Sequence, residues 1–175
     1  SGSAGSVNII AGAAVGGTGG VVTLQAGHGD QGSGADIKML AGDSASEAAG
    51  GSVLVKSGGS KGGMSGNISL SSSDSRQNGE SGAVVLNTGK TASGPSGDIM
   101  LNTGAATADG RAGSIALHVG ATDGSSAGNI TFAAGAAVGE SSIGGSVELT
   151  TGRGVESSGS VSVSTASTTG GGSSG

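Results

Sequence analysis

A chain of 175 residues with 41 glycines, one phenylalanine, no tyrosine or tryptophan and no cysteine cannot be stapled by disulfides and cannot use thiolate chemistry or cysteine-held metal. Its formal charge of −5 and its scattered cations, Lys38, Lys56, Lys61, Arg76, Lys90, Arg111 and Arg153, exclude a basic face that tracks phosphates, so nucleic acid is not an expected partner. No apolar run approaches the roughly 20 residues of a membrane span.

The elements follow one another as eleven copies of a unit of about fifteen residues, and a fixed period of this size is the mark of a repeat architecture. Each copy opens with Gly, a small polar residue and then apolar-x-apolar-x-small-Gly, as in Gly97-Asp98-Ile99-Met100-Leu101-Asn102-Thr103-Gly104. The first apolar position falls at Val7, Val22, Ile37, Val53, Ile68, Val84, Ile99, Ile115, Ile130, Val147 and Val161. The numbering thus advances in steps of 15, 15, 16, 15, 16, 15, 16, 15, 17 and 14. Two residues on comes a second ladder: Ile9, Leu24, Met39, Val55, Leu70, Leu86, Leu101, Leu117, Phe132, Leu149 and Val163. A third position is small: Ala11, Ala26, Ala41, Ser57, Ser72, Thr88, Thr103, Val119, Ala134, Thr151 and Thr165.

Positions spaced by two share one face of a strand, and β-branched residues and Leu suit a pleated buried surface. Each copy therefore predicts a short strand with a large, large, small inward face. The next residue is Gly in nine of eleven copies, Ser73 and Ala166 excepted, which predicts a tight corner at positive φ. Two residues past it a column of small side chains (Ala14, Gly29, Ser44, Ser60, Ser75, Thr91, Ala106, Thr122, Ala137, Gly154 and Thr168) reads as the inward position of a second, thinner strand. The expected fold is all-β: one parallel β-solenoid domain spanning residues 1–175, about eleven coils with a narrow Val/Ile/Leu/Ala core, in which each coil is stabilised by its neighbours. In-phase ladders argue against a Gly/Ser linker. The missing three-residue glycine period argues against bundled polyproline helices.

The repeat runs nearly to both termini, from Gly5-Ser6-Val7 to Val161-Ser162-Val163. A free-standing solenoid normally carries polar caps, so the chain is expected to be a segment of a longer array or a subunit that stacks end to end.

Little in the sequence speaks for chemistry. His28 and His118 occupy different repeat positions six coils apart and would not share a metal or a proton. Asp30 with Asp43, or Asp109 with Asp123, are the acid pairs on adjacent coils that could flank a glycosidic bond, but they read more simply as solvated turn residues. Gly17-Thr18-Gly19-Gly20 and Gly27-His28-Gly29-Asp30 lack the strand–loop–helix setting of a dinucleotide site, and Gly89-Lys90-Thr91 lacks the upstream glycine of a P-loop. The acids at the coil-opening position, Asp36 and Asp98, stand among Ser, Asn and Ala, so no calcium-binding Asp column is read. No catalytic residue, cofactor or metal site is expected. Two sequons, Asn67-Ile68-Ser69 and Asn129-Ile130-Thr131, would accept N-linked glycans in a secreted eukaryotic protein.

The outward positions of the first strand mix charged, polar and apolar groups, which makes a poor ice template. Ile10, Leu40, Leu54, Val85 and Met100 among them suggest a lateral contact surface. An ice-binding face on the other side would use the irregular column Ala13, His28, Asp43, Gly59, Asp74 and Lys90.

The Gly-Ser-Val-x-Leu-x-Ser/Thr-Gly unit resembles the Gly/Ser-rich β-solenoid arrays of large surface proteins of algae and protists and of some bacterial adhesins. The resemblance implies an extended structural element and carries no catalytic residues. The functional expectation is a non-enzymatic extracellular or cell-surface rod or filament module that self-associates end to end or laterally. The alternatives are an ice-binding solenoid and, third, a carbohydrate-active β-helix. The buried-ladder reading predicts that Ile99→Asp or Leu101→Asp breaks the stack by burying an unpaired charge, which a thermal melt would register.

Overall fold

The computed structural model describes residues 4–77, 79–107, 110–124 and 126–168. They fall into two units, Ser1–Leu86 and Asn87–Gly175. Each unit has the same local build: an apolar segment in extended, irregular backbone, then a loop that turns back on itself. Bends recur in most repeats, at 15–17, 30–32, 45–48, 61–63, 77 and 79 in the first unit and at 92–94, 123–124, 139–141 and 155–156 in the second.

The loops are pinched at their bases. In the first unit the amides of Gly20, Ala35, Gly51 and Gly66 donate to the carbonyls of Gly12, Gly27, Gly42 and Gly58 at 2.8, 3.1, 2.9 and 2.9 Å. In the second, Gly145 donates to Gly135 and Gly159 to Gly152, both at 2.9 Å. The donor is the residue that opens the next repeat, and the acceptor is the corner residue after the third small position. The glycine bases leave little room for a side chain. A β-carbon on Gly20 would stand 3.2 Å from both the Ala11 β-carbon and the Gly12 amide, and one on Gly145 would meet Ala134 at 3.4 Å and Gly135 N at 3.2 Å.

The same approach recurs where no main-chain bond closes the loop among the described residues. A β-carbon on Gly82 would stand 3.5 Å from the Ser72 β-carbon, and one on Gly128 3.0 Å from Val119 Cγ1. Every copy with Ala at the third position is closed, whereas Thr88, Thr103 and Val119 stand at loops without the bond. The unbranched Ser72 also stands at a loop without the bond. Thr151 is a branched residue at a closed base, and its loop, from Gly152 to Gly159, is the shortest of those with the bond.

This architecture overturns the β-solenoid. No helix and no strand occurs among the described residues, and the apolar segments pair with no neighbour. No described residue is buried, polar or apolar. The ladders that should have formed a Val/Ile/Leu/Ala core lie open: Ile130 keeps 48% of its surface and Leu70 77%. The only half-buried described residues are Ala11, Ala26, Gly29, Ala41 and Ser57, four of them at loop bases and the fifth inside a loop. The expected second strand is absent too, and so are positive φ angles at the corner glycines. Among the described residues positive φ occurs at Gly16, Gly94 and Ser141, all near loop tips.

Two magnitudes fix how far the chain is from a compact domain. Its accessible surface is 17289 Å². A compact protein of its 15.8 kDa would expose roughly 7,300 Å² and an unfolded one roughly 23,000 Å². A folded domain also makes about one internal hydrogen bond per residue, and the described residues make nine between backbone groups. The physical reason is in the repeat itself. Two large apolar side chains per copy return little against the ordering cost of a glycine-rich backbone.

Without a core, Leu101→Asp buries no charge within the chain, and the thermal signature expected of a buried ladder has no basis. A dilute sample is expected to show neither helical nor strand circular dichroism and no cooperative heat-capacity peak. A sharp calorimetric transition in the monomer contradicts the fold. Gly20→Ala is expected to lose the bond to Gly12, about 1 kcal/mol, read as faster exchange of the amide at position 20. Gly12→Ala, whose β-carbon would meet nothing within 4 Å, is the neutral control.

Candidate functional site: the exposed apolar ladders

Each repeat presents its apolar residues from the segment between two loops. From the second copy on, where a loop base precedes it, the first position is the more sheltered. Val22 keeps 51% of its surface, whereas the outward-read residues Leu40 and Leu54 keep 83% and 86%. Ile10, Val85 and Met100 are open as well. In the second unit two consecutive repeats share a recess of about 220 Å³ lined by Phe132, Val147, Glu148 and Leu149. Its wall is apolar except for Glu148, whose Oε1 accepts the Thr150 hydroxyl at 3.0 Å. The single aromatic ring thus lies next to ladder residues of the following repeat.

The loops are built by hydroxyl groups. Thr91 Oγ1 donates to Ser93 O at 2.8 Å and accepts from Ser93 N at 3.3 Å. Ser60 Oγ accepts from Gly63 N at 2.9 Å, Thr122 Oγ1 from Gly124 N at 3.0 Å, and Ser44 Oγ from Ser46 N at 3.3 Å. Ser75 Oγ donates to Gln77 O at 3.4 Å. These residues are the column read from sequence as an inward second strand. They are turn formers, whose hydroxyls bond the backbone two or three residues on. Where the column holds Gly the turn is tighter still: a β-carbon on Gly29 would lie 2.6 Å from Gly32 O, and one on Gly154 would collide with Ser157 O.

The polar candidates are not gathered into a site. His28 belongs to the first unit and His118 to the second. Asp30 and Asp43 lie exposed in successive loops; Asp109 lies outside the described residues, so its pairing with Asp123 is not described. No group of three or more His, Asp or Glu side chains able to hold a metal occurs among the described residues. Asp36 Oδ2 lies 3.3 Å from Lys38 Nζ with both side chains largely in water, where such a pair contributes little. Ser71, Ser72, Ser73, Asp74 and Arg76 line a shallow polar hollow of about 540 Å³. Asn67 and Asn129 are exposed with their sequon partners Ser69 and Thr131.

One pattern escapes a reading at the single repeat. From Val22 to Ile130 the steps of 15 and 16 alternate, and the last two steps, 17 and 14, have the same total as such a pair. Ile37, Ile68, Ile99, Ile130 and Val161 therefore recur at a constant step of 31, and Val22, Val53, Val84 and Ile115, the Val series, do the same between them. Before each residue of the Ile series stands Asp36, Asn67, Asp98, Asn129 and Ser160; before the Val series stand Val21, Ser52, Ala83 and Ser114. Asp36 and Asp98 are therefore not isolated acids. They belong to an Asp/Asn column of double period, legible once the step lengths are paired rather than averaged.

Compared with known proteins, the chain matches no family model, no curated protein and no solved structure. Thr91→Val, which keeps the shape and removes the hydroxyl, is expected to move the backbone chemical shifts of Ser93 and Gly94 to random-coil values. Unmoved shifts would show that the hydroxyl does not hold this turn.

Proposed function

We propose that the chain is a structural, non-catalytic repeat element of an extracellular or cell-surface assembly, and that it works by associating with further copies of itself along its apolar ladders. The observation that carries this reading is the contrast between order in sequence and exposure in structure. Eleven copies hold two large apolar residues at fixed positions, yet the described ones bury none of them. A spacer has no use for such a pattern, whereas an associating surface does.

The composition supports the same reading. Charged residues are 11% of the chain and the net charge is −5, so repulsion between copies is modest. The Gly/Ser-rich repeat has the composition of surface-protein arrays. Exposed Asn67 and Asn129 would carry glycans in such a setting.

Sedimentation across a concentration series is expected to show reversible association of the wild-type chain. Ile99→Asp combined with Leu101→Asp is expected to weaken it at least about tenfold, because an unpaired charge is then carried into an apolar contact. A wild-type chain that sediments as one concentration-independent monomer sinks the proposal.

A further inference from the structure

The surface available for association is large. The chain exposes about 10,000 Å² more than a compact protein of its mass would, and a stable interface needs roughly 1,200–2,000 Å². To cover ladders that recur in alternating shorter and longer steps, a partner needs the same spacing. A second copy of this chain has it.

We infer that copies associate in parallel with a stagger of one double repeat, the step from Ile37 to Ile68, so that the Asp/Asn column of one copy meets the complementary residue of the next. This rests on the self-association proposed above and specifies its register. Three observations set it. A shift of one double repeat keeps the Ile series on the Ile series and the Val series on the Val series, whereas a shift of one repeat mixes them. With no shift, Asp36 would face Asp36 and Asp98 would face Asp98, and like charges directly opposed are unfavourable. At the double repeat, Asp36 faces Asn67, Asn67 faces Asp98 and Asp98 faces Asn129, so each carboxylate meets an amide able to donate to it. An antiparallel copy cannot hold the ladder and the Asp/Asn column in register together.

The remaining charges do not oppose this stagger. It sets Asp30 with Lys61 and Glu80 with Arg111, against the like pairs Asp43 with Asp74 and Asp109 with Glu140. Lys38, beside Asp36, meets Ser69 rather than another Lys38. Ile99 and Leu101 of one copy face Ile130 and Phe132 of the other, where the 220 Å³ recess beside Phe132 can receive a side chain. A staggered contact of this kind is head-to-tail, leaves each end unsatisfied and does not close. It therefore adds copies without limit.

The absence of cysteine makes the register readable by cross-linking. Single-cysteine full-length chains S71C, N87C, N102C and A133C, differing in mass, are mixed in pairs and oxidised. Production in a host without N-glycosylation keeps Asn67 and Asn129 free in the column. Ser71, Asn102 and Ala133 stand one double repeat apart, and Asn87 stands one repeat after Ser71. Both 71–102 and 102–133 disulfides are expected to exceed 71–71 and 71–87 by about fivefold. Asp36→Asn with Asp98→Asn removes the charge that forbids zero shift, and 71–71 should rise to equal 71–102. Dominant 71–71 or 71–87 products overturn the stagger while leaving self-association standing. A strong 71–102 product without 102–133 indicates an antiparallel pair and overturns the inference as well. A chain that neither cross-links nor associates overturns the functional proposal and this inference together.

Discussion

The close approach of each repeat-opening residue to the small residue eight to eleven positions before it is the constraint on which the local structure depends. At Gly20 and Ala11 the two backbones come near enough for one hydrogen bond, and that bond separates the chain into a pinched loop and an exposed apolar segment. The loop absorbs the variation in step length and the glycine-rich sequence. The segment keeps the apolar residues together and presents them outward. The four alanine copies and those of Ser57 and Thr151 are closed, and those of Ser72, Thr88, Thr103 and Val119 are not.

A chain built this way has its distinctive chemistry on its surface. Apolar groups that a compact domain would sequester stand in water, and the few charges are spread thinly among hydroxyls and glycines. The hydrophobic effect acts on apolar area wherever it is removed from water. Coverage can come from another molecule as readily as from the same one.

The sequence made the period and the spacing of the apolar positions legible, because each rests on residue types at fixed intervals, whereas the corner expected at Gly12 and its equivalents lies further on, at bends such as 15–17. It did not make the fold legible. Alternation of Ile99, Leu101 and Thr103 states that these side chains share an environment; it does not state that the environment lies within one chain. The column of Ser44, Ser60, Ser75, Thr91 and Thr122 was misleading for a different reason. Small polar residues fit both a narrow interior and a turn, and only the hydroxyl-to-backbone bonds distinguish them. Read separately, Asp36 and Asp98 looked accidental; paired steps reveal the column they share with Asn67 and Asn129.

The loop bases have a mechanical consequence. Gly12 and Gly20 are joined by one hydrogen bond across eight residues of slack, and at about 3.4 Å per extended residue those residues could span roughly 27 Å. Tension along the chain would act on that bond before it strained any covalent geometry, and its rupture would release the stored length. The other closed loops, from the Gly27–Ala35 base to the Gly152–Gly159 base, would release theirs one at a time. Because each closure is local, a released loop could re-form when the load is removed. Under load, each closed base would act as a separate weak fastener.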